Sequence, residues 1–428
     1  MCIPAEGRFR KSPKQSFDIL LTLAAIIRLA ADLFLGMTMS YVMNTYARQP
    51  IGFVKGEGSW LIDDQGKRYL DAVSGVAVTS VGHAHPKVVA AICEQAKNTI
   101  HTSNLYQIFR QEELAERIAK LSGMDEVFFC NSGAEANEAA IKVARLYGHK
   151  NGIENPHIIV MEKAWHGRTL ATLSATGSRK AQAGFEPLMD GFIRVPYNDA
   201  VAVQQIAKNQ SNVVAVLVEV LQGEAGVNMA DLEYIRTLRA ICDQQEWLFM
   251  IDEVQCGIGR TGKWFGFQHA GVMPDVITLA KGLGSGVPIG ACVNAGRATG
   301  IFGPGNHGST FGGGPLVCAA SLATLQAIEE EGLLEKSTQT GEWIRAQLRE
   351  LLADVAGVKE IRGRGMMIGI ELDRVCGDIV RRAREQGLLV NVTADKVVRL
   401  LPPLNFSQTE AEQLVSTLAP VIKEFLAA

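Results

Sequence analysis

Residues 247–281 read WLFMIDEVQCGIGRTGKWFGFQHAGVMPDVITLAK. Two apolar runs, ending at Ile251 and Ala280, each stop at an ionisable residue, Asp252 and Lys281. The runs VFFC (127–130), HIIVM (157–161), NVVAVLVEV (212–220) and PIGACV (288–293) are of the same kind, with helix-length segments between several of them. Continuous apolar strands alternating with helices are the pattern of a sheet buried on both faces. The sequence therefore predicts an α/β protein whose large domain holds a mostly parallel sheet flanked by helices. Ligands of such sheets sit outside the carboxyl ends of the strands, which makes Glu219, Asp252 and Lys281 the first residues to consider for chemistry.

Working outward, GSWLIDDQGKRYLDAVSG (58–75) places Asp64-Gln65-Gly66-Lys67 as a turn between two short alternating runs, a β-hairpin. After Cys318 a long helical pattern precedes VKEIRGRGMMIGIEL (358–372) and LLVNVTADKVVRLLPPL (388–404), which read as strands around helices. These parts predict a smaller α+β domain, residues 39–77 giving its N-terminal part and 319–428 its C-terminal part, with 78–318 as the large domain. Residues 1–38 are expected to be a poorly ordered extension. Within it Phe17–Gly36 is apolar but interrupted by Asp18, Arg28 and Asp32, and its unbroken piece falls far short of the roughly 20 residues that cross a bilayer.

Of the 428 residues, 47% are hydrophobic and 20% charged, enough apolar surface for a large core and unlike a disordered chain. Lys+Arg minus Asp+Glu is 42 − 45 = −3 and no block reaches five like charges, so neither nucleic acid nor a membrane is an expected partner. The eight cysteines include no C-x-x-C pair and read as reduced, cytoplasmic thiols. His83 and His85, in GHAHP, read as a turn before a helix rather than as metal ligands, and no metal is expected.

Asn131-Ser132-Gly133-Ala134-Glu135 follows VFFC and opens a helix. Ser132 and Glu135 form a capping box, leaving the amides of Gly133 and Ala134 at a helix N-terminus, where an anion is favoured. That feature alone serves structure as often as phosphate binding. Asp252, buried at a strand end, calls for a cationic partner that no neighbour in sequence supplies. Lys281, 281 − 252 = 29 residues later, precedes Gly282-Leu283-Gly284 and is suited to a Schiff base, although a lysine in a glycine loop is by itself more often a surface residue. Together the three supply what pyridoxal phosphate requires: an anchor for its phosphate, a partner for its pyridinium and a lysine for its aldehyde.

At this point the motifs NSGAEANEAAIKVAR (131–145), WHGRT (165–169), VEVLQGEAG (218–226), IDEVQCGIGRTG (251–262), LAKGLGSGVPIGA (279–291), HGSTFGGGP (307–315) and RGRGMMIGIEL (362–372) resemble, in this order, the fold-type I, class III aminotransferases. The resemblance spans about nine tenths of the chain from Met39. It is strongest to the branch acting on N2-acetyl-ornithine, including SYVMNTYARQPIGF (40–53). It implies that Lys281 is the Schiff-base lysine and proton carrier and Asp252 the partner of the pyridine nitrogen. Gln255 would bond the phenolic oxygen, Val254 and Trp165 would cover the two ring faces, and Ser132, Gly133, Ala134 and His166 would complete the cofactor set. Ser309 and Thr310 would serve the phosphate of a neighbouring subunit, making the enzyme a homodimer with shared active sites. Arg399 and Arg168 would hold the two carboxylates of 2-oxoglutarate, with Glu224 pairing Arg399 when an ω-amine is the donor.

Trp165, Val220, Ala225 and Gly314 depart from the family's usual residues without removing a group that does chemistry. The apolar stretch Ser74–Val78 has no tyrosine to hold a free α-ammonium, which favours an N-acylated donor such as N-acetylornithine over ornithine, with 4-aminobutyrate as a further alternative. Succinyl-diaminopimelate is a second acylated candidate. The implied reaction yields N-acetylglutamate semialdehyde and glutamate.

Overall fold

In the computed structural model, which describes residues 41–428, the turn at Asp64–Lys67 joins two antiparallel strands as the sequence predicts. The strands run β1 (Phe53–Glu57), β2 (Trp60–Asp63), β3 (Arg68–Asp71), β4 (Glu126–Cys130), β5 (His157–Met161), β6 (Phe192–Val195), β7 (Val213–Val218), β8 (Leu221–Gln222) and β9 (Asn228–Met229). They continue as β10 (Leu248–Asp252), β11 (Val276–Leu279), β12 (Gly290–Asn294), β13 (Val358–Arg364), β14 (Met367–Leu372), β15 (Leu388–Leu389), β16 (Asn391–Thr393) and β17 (Val397–Leu400).

Seven of them form one sheet in the order β4-β12-β11-β10-β7-β5-β6. Strands β6, β5, β7, β10 and β11 run parallel, and β12 opposes both β11 and β4. The exception has a simple cause: the segment between Leu279 and Gly290 is too short for a helical crossover, so the chain turns back on itself. Every residue of β7, β10, β11 and β12 is buried, as unbroken apolar runs require. Strand β6 escaped the sequence reading because Arg194 interrupts its short apolar run at the sheet edge.

Strand β15 pairs in parallel with β3, Leu388 opposite Leu70, so the C-terminal part closes onto the N-terminal hairpin. A further antiparallel sheet, β13-β14-β17-β16, carries Arg399 on its strand β17. Gly52–Ala428 is one compact unit; residues 41–51 belong to a separate N-terminal unit. The expected extension over 1–38 lies outside the described residues. Among the described residues no helix is long and apolar enough to cross a membrane.

Candidate active site

The parallel register brings four chain segments to one edge of the sheet: Asn131 after β4, Glu219 after β7, Asp252 at the end of β10 and Lys281 after β11. A cavity of about 430 Å³ opens there, within the range of small-molecule sites. Ser132, Gly133, Ala134, Trp165, His166, Arg168, Glu224, Asp252, Val254, Gln255 and Lys281 all line it.

The helix Gly133–Lys150 points its N-terminus at this cavity. Ser132 caps it, its Oγ accepting the Glu135 amide at 3.2 Å. The reciprocal half of the capping box is displaced by one residue. The Glu135 carboxylate accepts from the Asn131 amide at 2.7 Å and from Asn131 Nδ2 at 2.8 Å, because Asn131 offers it two donors. Gly133 and Ala134, whose amides have no partner inside the helix, line the cavity, a place for an anion. Gly133 is required for closeness: a Cβ there would lie 2.6 Å from Val254 Cγ1.

Asp252 does have a neighbour that the sequence reading left unpaired with it. Its Oδ2 accepts from His166 Nδ1 and from Asn137 Nδ2, both at 2.8 Å, and Oδ1 accepts the Val254 amide at 2.9 Å. Glu219 lies beside it, and the ligating atoms of His166, Glu219 and Asp252 fall within 4.8 Å of one another. Burial, and then the nearby Asp252 charge, push the Glu219 carboxyl well above the ordinary carboxylate range. Lys281 adopts φ +45°, a left-handed backbone that a non-glycine residue rarely takes and that collects at functional sites. Burial lowers its pKa, with Glu224 opposing.

Arg399 is 2% exposed and stands behind Glu224 rather than lining the cavity. Its Nη1 donates to Glu224 Oε1 at 2.7 Å, a contact foreseen between residues 175 positions apart. Gln255 Oε1 lies 3.4 Å from the same Nη1. Arg168 is exposed, its guanidinium 4.7 Å from the Trp165 ring centroid. Ser309 and Thr310 do not line the cavity of their own chain. Ser309 Oγ accepts from Asn131 Nδ2 at 3.2 Å, and Thr310 is exposed. His83 and His85 bond Asp71 and Glu331 at 2.8 and 3.0 Å.

Residues 41–422 match the class-III aminotransferase family. The chain belongs to it. Curated acetylornithine aminotransferases from Nitrosomonas europaea and Methanocaldococcus jannaschii are 60% and 45% identical, over 91% of this chain and 99% and 98% of theirs. Among solved structures, ornithine aminotransferase from Toxoplasma gondii superposes with a TM-score of 0.87 at 32% identity, covering 97% of this chain and 99% of that one. Acetylornithine aminotransferase from Elizabethkingia anophelis gives 0.81 at 33%, covering 90% and 97%.

As a class-III aminotransferase the chain is a pyridoxal-phosphate enzyme of fold-type I. Its cavity fits that cofactor on its own chemistry. The helix N-terminus offers backbone donors for a phosphate, Asp252 Oδ1 keeps an acceptor direction open for a ring nitrogen, and a lysine of lowered pKa lines the same cavity. Asn137, Thr278 and Asn391 escaped the sequence reading. Asn137 sits inside the quoted NSGAEANE motif, but only the fold brings it to a residue 115 positions away.

Proposed function

We propose that this cavity is the active site, with Lys281 and Asp252 as its catalytic residues. The chain transfers the δ-amino group of N2-acetyl-L-ornithine to 2-oxoglutarate, giving N-acetyl-L-glutamate 5-semialdehyde and L-glutamate, the transamination of arginine biosynthesis. One observation carries the assignment of residues: a helix N-terminus, a strand-end Asp and a half-buried Lys, from three separate segments, line one cavity that Glu224 also lines, with Arg399 paired behind it.

Bound pyridoxal phosphate supplies an aldehyde that takes up the amino group and a protonated ring that draws electrons from the reacting carbon. Ser132, Gly133 and Ala134 hold its phosphate, Trp165 and Val254 cover its faces, Gln255 meets its phenolic oxygen and His166 braces Asp252. Lys281 would take the proton from the δ-carbon of the donor and deliver it to the carbon that had been the cofactor's aldehyde, on the same face. Burial favours its neutral, accepting form. Arg168 takes the distal carboxylate and Arg399 the one beside the reacting carbon, with Glu224 covering Arg399 while an ω-amine is bound. Val78, from the apolar 74–78 stretch, lines the cavity, which supports an acylated donor. Succinyl-diaminopimelate is a second such donor.

The enzyme works as a cytoplasmic homodimer. Supporting this, Ile100, Leu105, Tyr106, Phe109 and Phe311 are all more than half exposed. Asn104 ties their segment to the Ser309 loop, donating to Ser309 O at 3.0 Å, which brings exposed apolar residues to the loop of the two residues absent from their own cavity. Such a surface on an isolated subunit points to a protein partner. Within the compact unit, residues 52–77 and 319–428 form the small domain and 78–318 the large one in this reading.

Steady-state assays with N-acetylornithine, ornithine and 4-aminobutyrate, each with 2-oxoglutarate, test the donor. The acetylated donor should give the highest kcat/KM. Ornithine or 4-aminobutyrate in first place would assign the alternative activity.

A further inference from the structure

Strands β10 and β11 run side by side with Asp252 opposite Thr278, and the helix Gly133–Lys150 lays Asn137 across them. Thr278 Oγ1 donates to Asn137 Oδ1 at 2.8 Å. Asn137 Nδ2 in turn donates to Asp252 Oδ2 and to the His166 carbonyl oxygen, both at 2.8 Å. Turning the amide over would set its oxygen against two acceptors, so these three contacts fix a single orientation. The carboxylate is then fully specified. Oδ2 has both acceptor directions filled, by Asn137 and by His166 Nδ1, while Oδ1 accepts only the Val254 amide and keeps one direction open. Thr278, Asn137, His166 and Asp252 are 0%, 1%, 2% and 4% exposed, so solvent does not replace a lost donor.

We infer that Asn137, locked by Thr278, is a positioning residue that turns Asp252 so that Oδ1 meets the ring nitrogen of the cofactor. The inference rests on the proposed role of Asp252. With a hydrocarbon at position 137, Oδ2 loses one of its two donors and the carboxylate swings about its remaining bonds. A valine at 278 releases the amide, which then no longer holds one orientation.

The test is the affinity of cofactor-free protein for 4′-deoxypyridoxine 5′-phosphate, followed by protein fluorescence. This probe keeps the ring nitrogen and phosphate but has no aldehyde, so Lys281 does not enter the result. Asn137→Leu should weaken binding about 10- to 100-fold, the range for a lost hydrogen bond to a charged group. Thr278→Val should weaken it about 3- to 10-fold, and Thr278→Ser, which keeps the hydroxyl, should bind like the parent. In an Asp252→Ala background both substitutions should change affinity less than about twofold, because the group they position is gone.

Parent-like binding by Asn137→Leu and Thr278→Val overturns the inference, as does an equal loss with and without Asp252, which marks a purely structural role. If Asn137→Leu does not fold, Thr278→Val and its cycle with Asp252→Ala carry the decision. Parent-like binding by Asp252→Ala alone would overturn the reading of Asp252 itself, and the inference with it.

Discussion

Arg399 is clasped from two sides, Nη1 donating to Glu224 at 2.7 Å and Nε to Asn391 Oδ1 at 2.8 Å. The two grips differ in kind. Asn391 is the direct cross-strand partner of Arg399 in the β16–β17 ladder, so backbone register holds that bond, whereas Glu224 reaches in from the segment between β8 and β9. Burial alone would raise the Glu224 pKa, but the Arg399 guanidinium overcomes it and holds the carboxyl below its ordinary value. The pair is therefore ionic, and Glu224 is the partner able to leave.

Glu224→Ala should impair the half-reaction with an ω-amine donor more than the half-reaction with 2-oxoglutarate. Without Glu224 the buried guanidinium faces the methylene chain of the donor uncompensated, a penalty of roughly 3 to 5 kcal/mol, whereas the carboxylate of 2-oxoglutarate still neutralises it. Glutamate should react faster with the pyridoxal form of the variant. Single-turnover spectra of each half-reaction measure both effects, and equal losses in the two halves would exclude the switch.

Gly133→Ala tests the contact between the phosphate turn and the cofactor face. The added methyl would meet Val254 Cγ1 at 2.6 Å, so the helix N-terminus or Val254 must retreat. Overpacking of this kind costs about 1 to 3 kcal/mol, so cofactor affinity should fall about 5- to 150-fold. Gly133→Ala with Val254→Ala makes room and should recover most of the loss. Fluorescence titration of the cofactor-free variants reads both.

The edge chemistry was legible because it is written in local pattern: an apolar run that stops at Asp252, another that stops before Lys281, and a serine that caps a helix. The Glu224–Arg399 pair was legible through family motifs, since nothing in local spacing connects residues 175 positions apart. Asn137 and Thr278 were not. Mid-helix and mid-strand polar residues look like ordinary exposed positions until the sheet register lays Thr278 beside Asp252. Arg260 is a similar case, 1% exposed and bonded to the carbonyl oxygens of Met366 and Pro402, partners more than 100 positions away that no local pattern reveals. Position 220, where Val replaces the family's usual residue, is 7% exposed, so the departure is absorbed as core.

Thr310→Ala addresses the assembly. Thr310 is exposed and absent from the cavity of its own chain, so in the proposed dimer its hydroxyl serves the phosphate of the partner. Losing one bond to a charged group removes about 1.5 to 3 kcal/mol, a fall in cofactor affinity of about 10- to 150-fold. Phe311→Asp, on the surrounding apolar surface, should separate the subunits and lower affinity as well. Light scattering and cofactor titration decide together, and a monomer with parent-like affinity would refute the shared site.

The buried Glu219 carboxyl gives a pH signature whose sign is fixed. Its Oε1 accepts the Trp165 amide at 3.1 Å, and its Oε2 is buried without a partner among the described residues. In the unfolded chain a glutamate ionises near pH ~4.3, while burial and then Asp252 raise the folded value well above that. Between the two values the native state holds a proton that the unfolded chain has released. Stability from this group is therefore fully present below about pH 4.3 and is lost as pH rises through the folded value. Glu219→Gln keeps an acceptor for the Trp165 amide and cannot ionise, so it removes that slope. The Tm of cofactor-free Glu219→Gln, relative to the parent, should rise between about pH 5 and about pH 8. A difference that stays flat across this interval would mean that Glu219 is charged in the fold, and the acidic pair with Asp252 would then need a bound cation or proton from elsewhere.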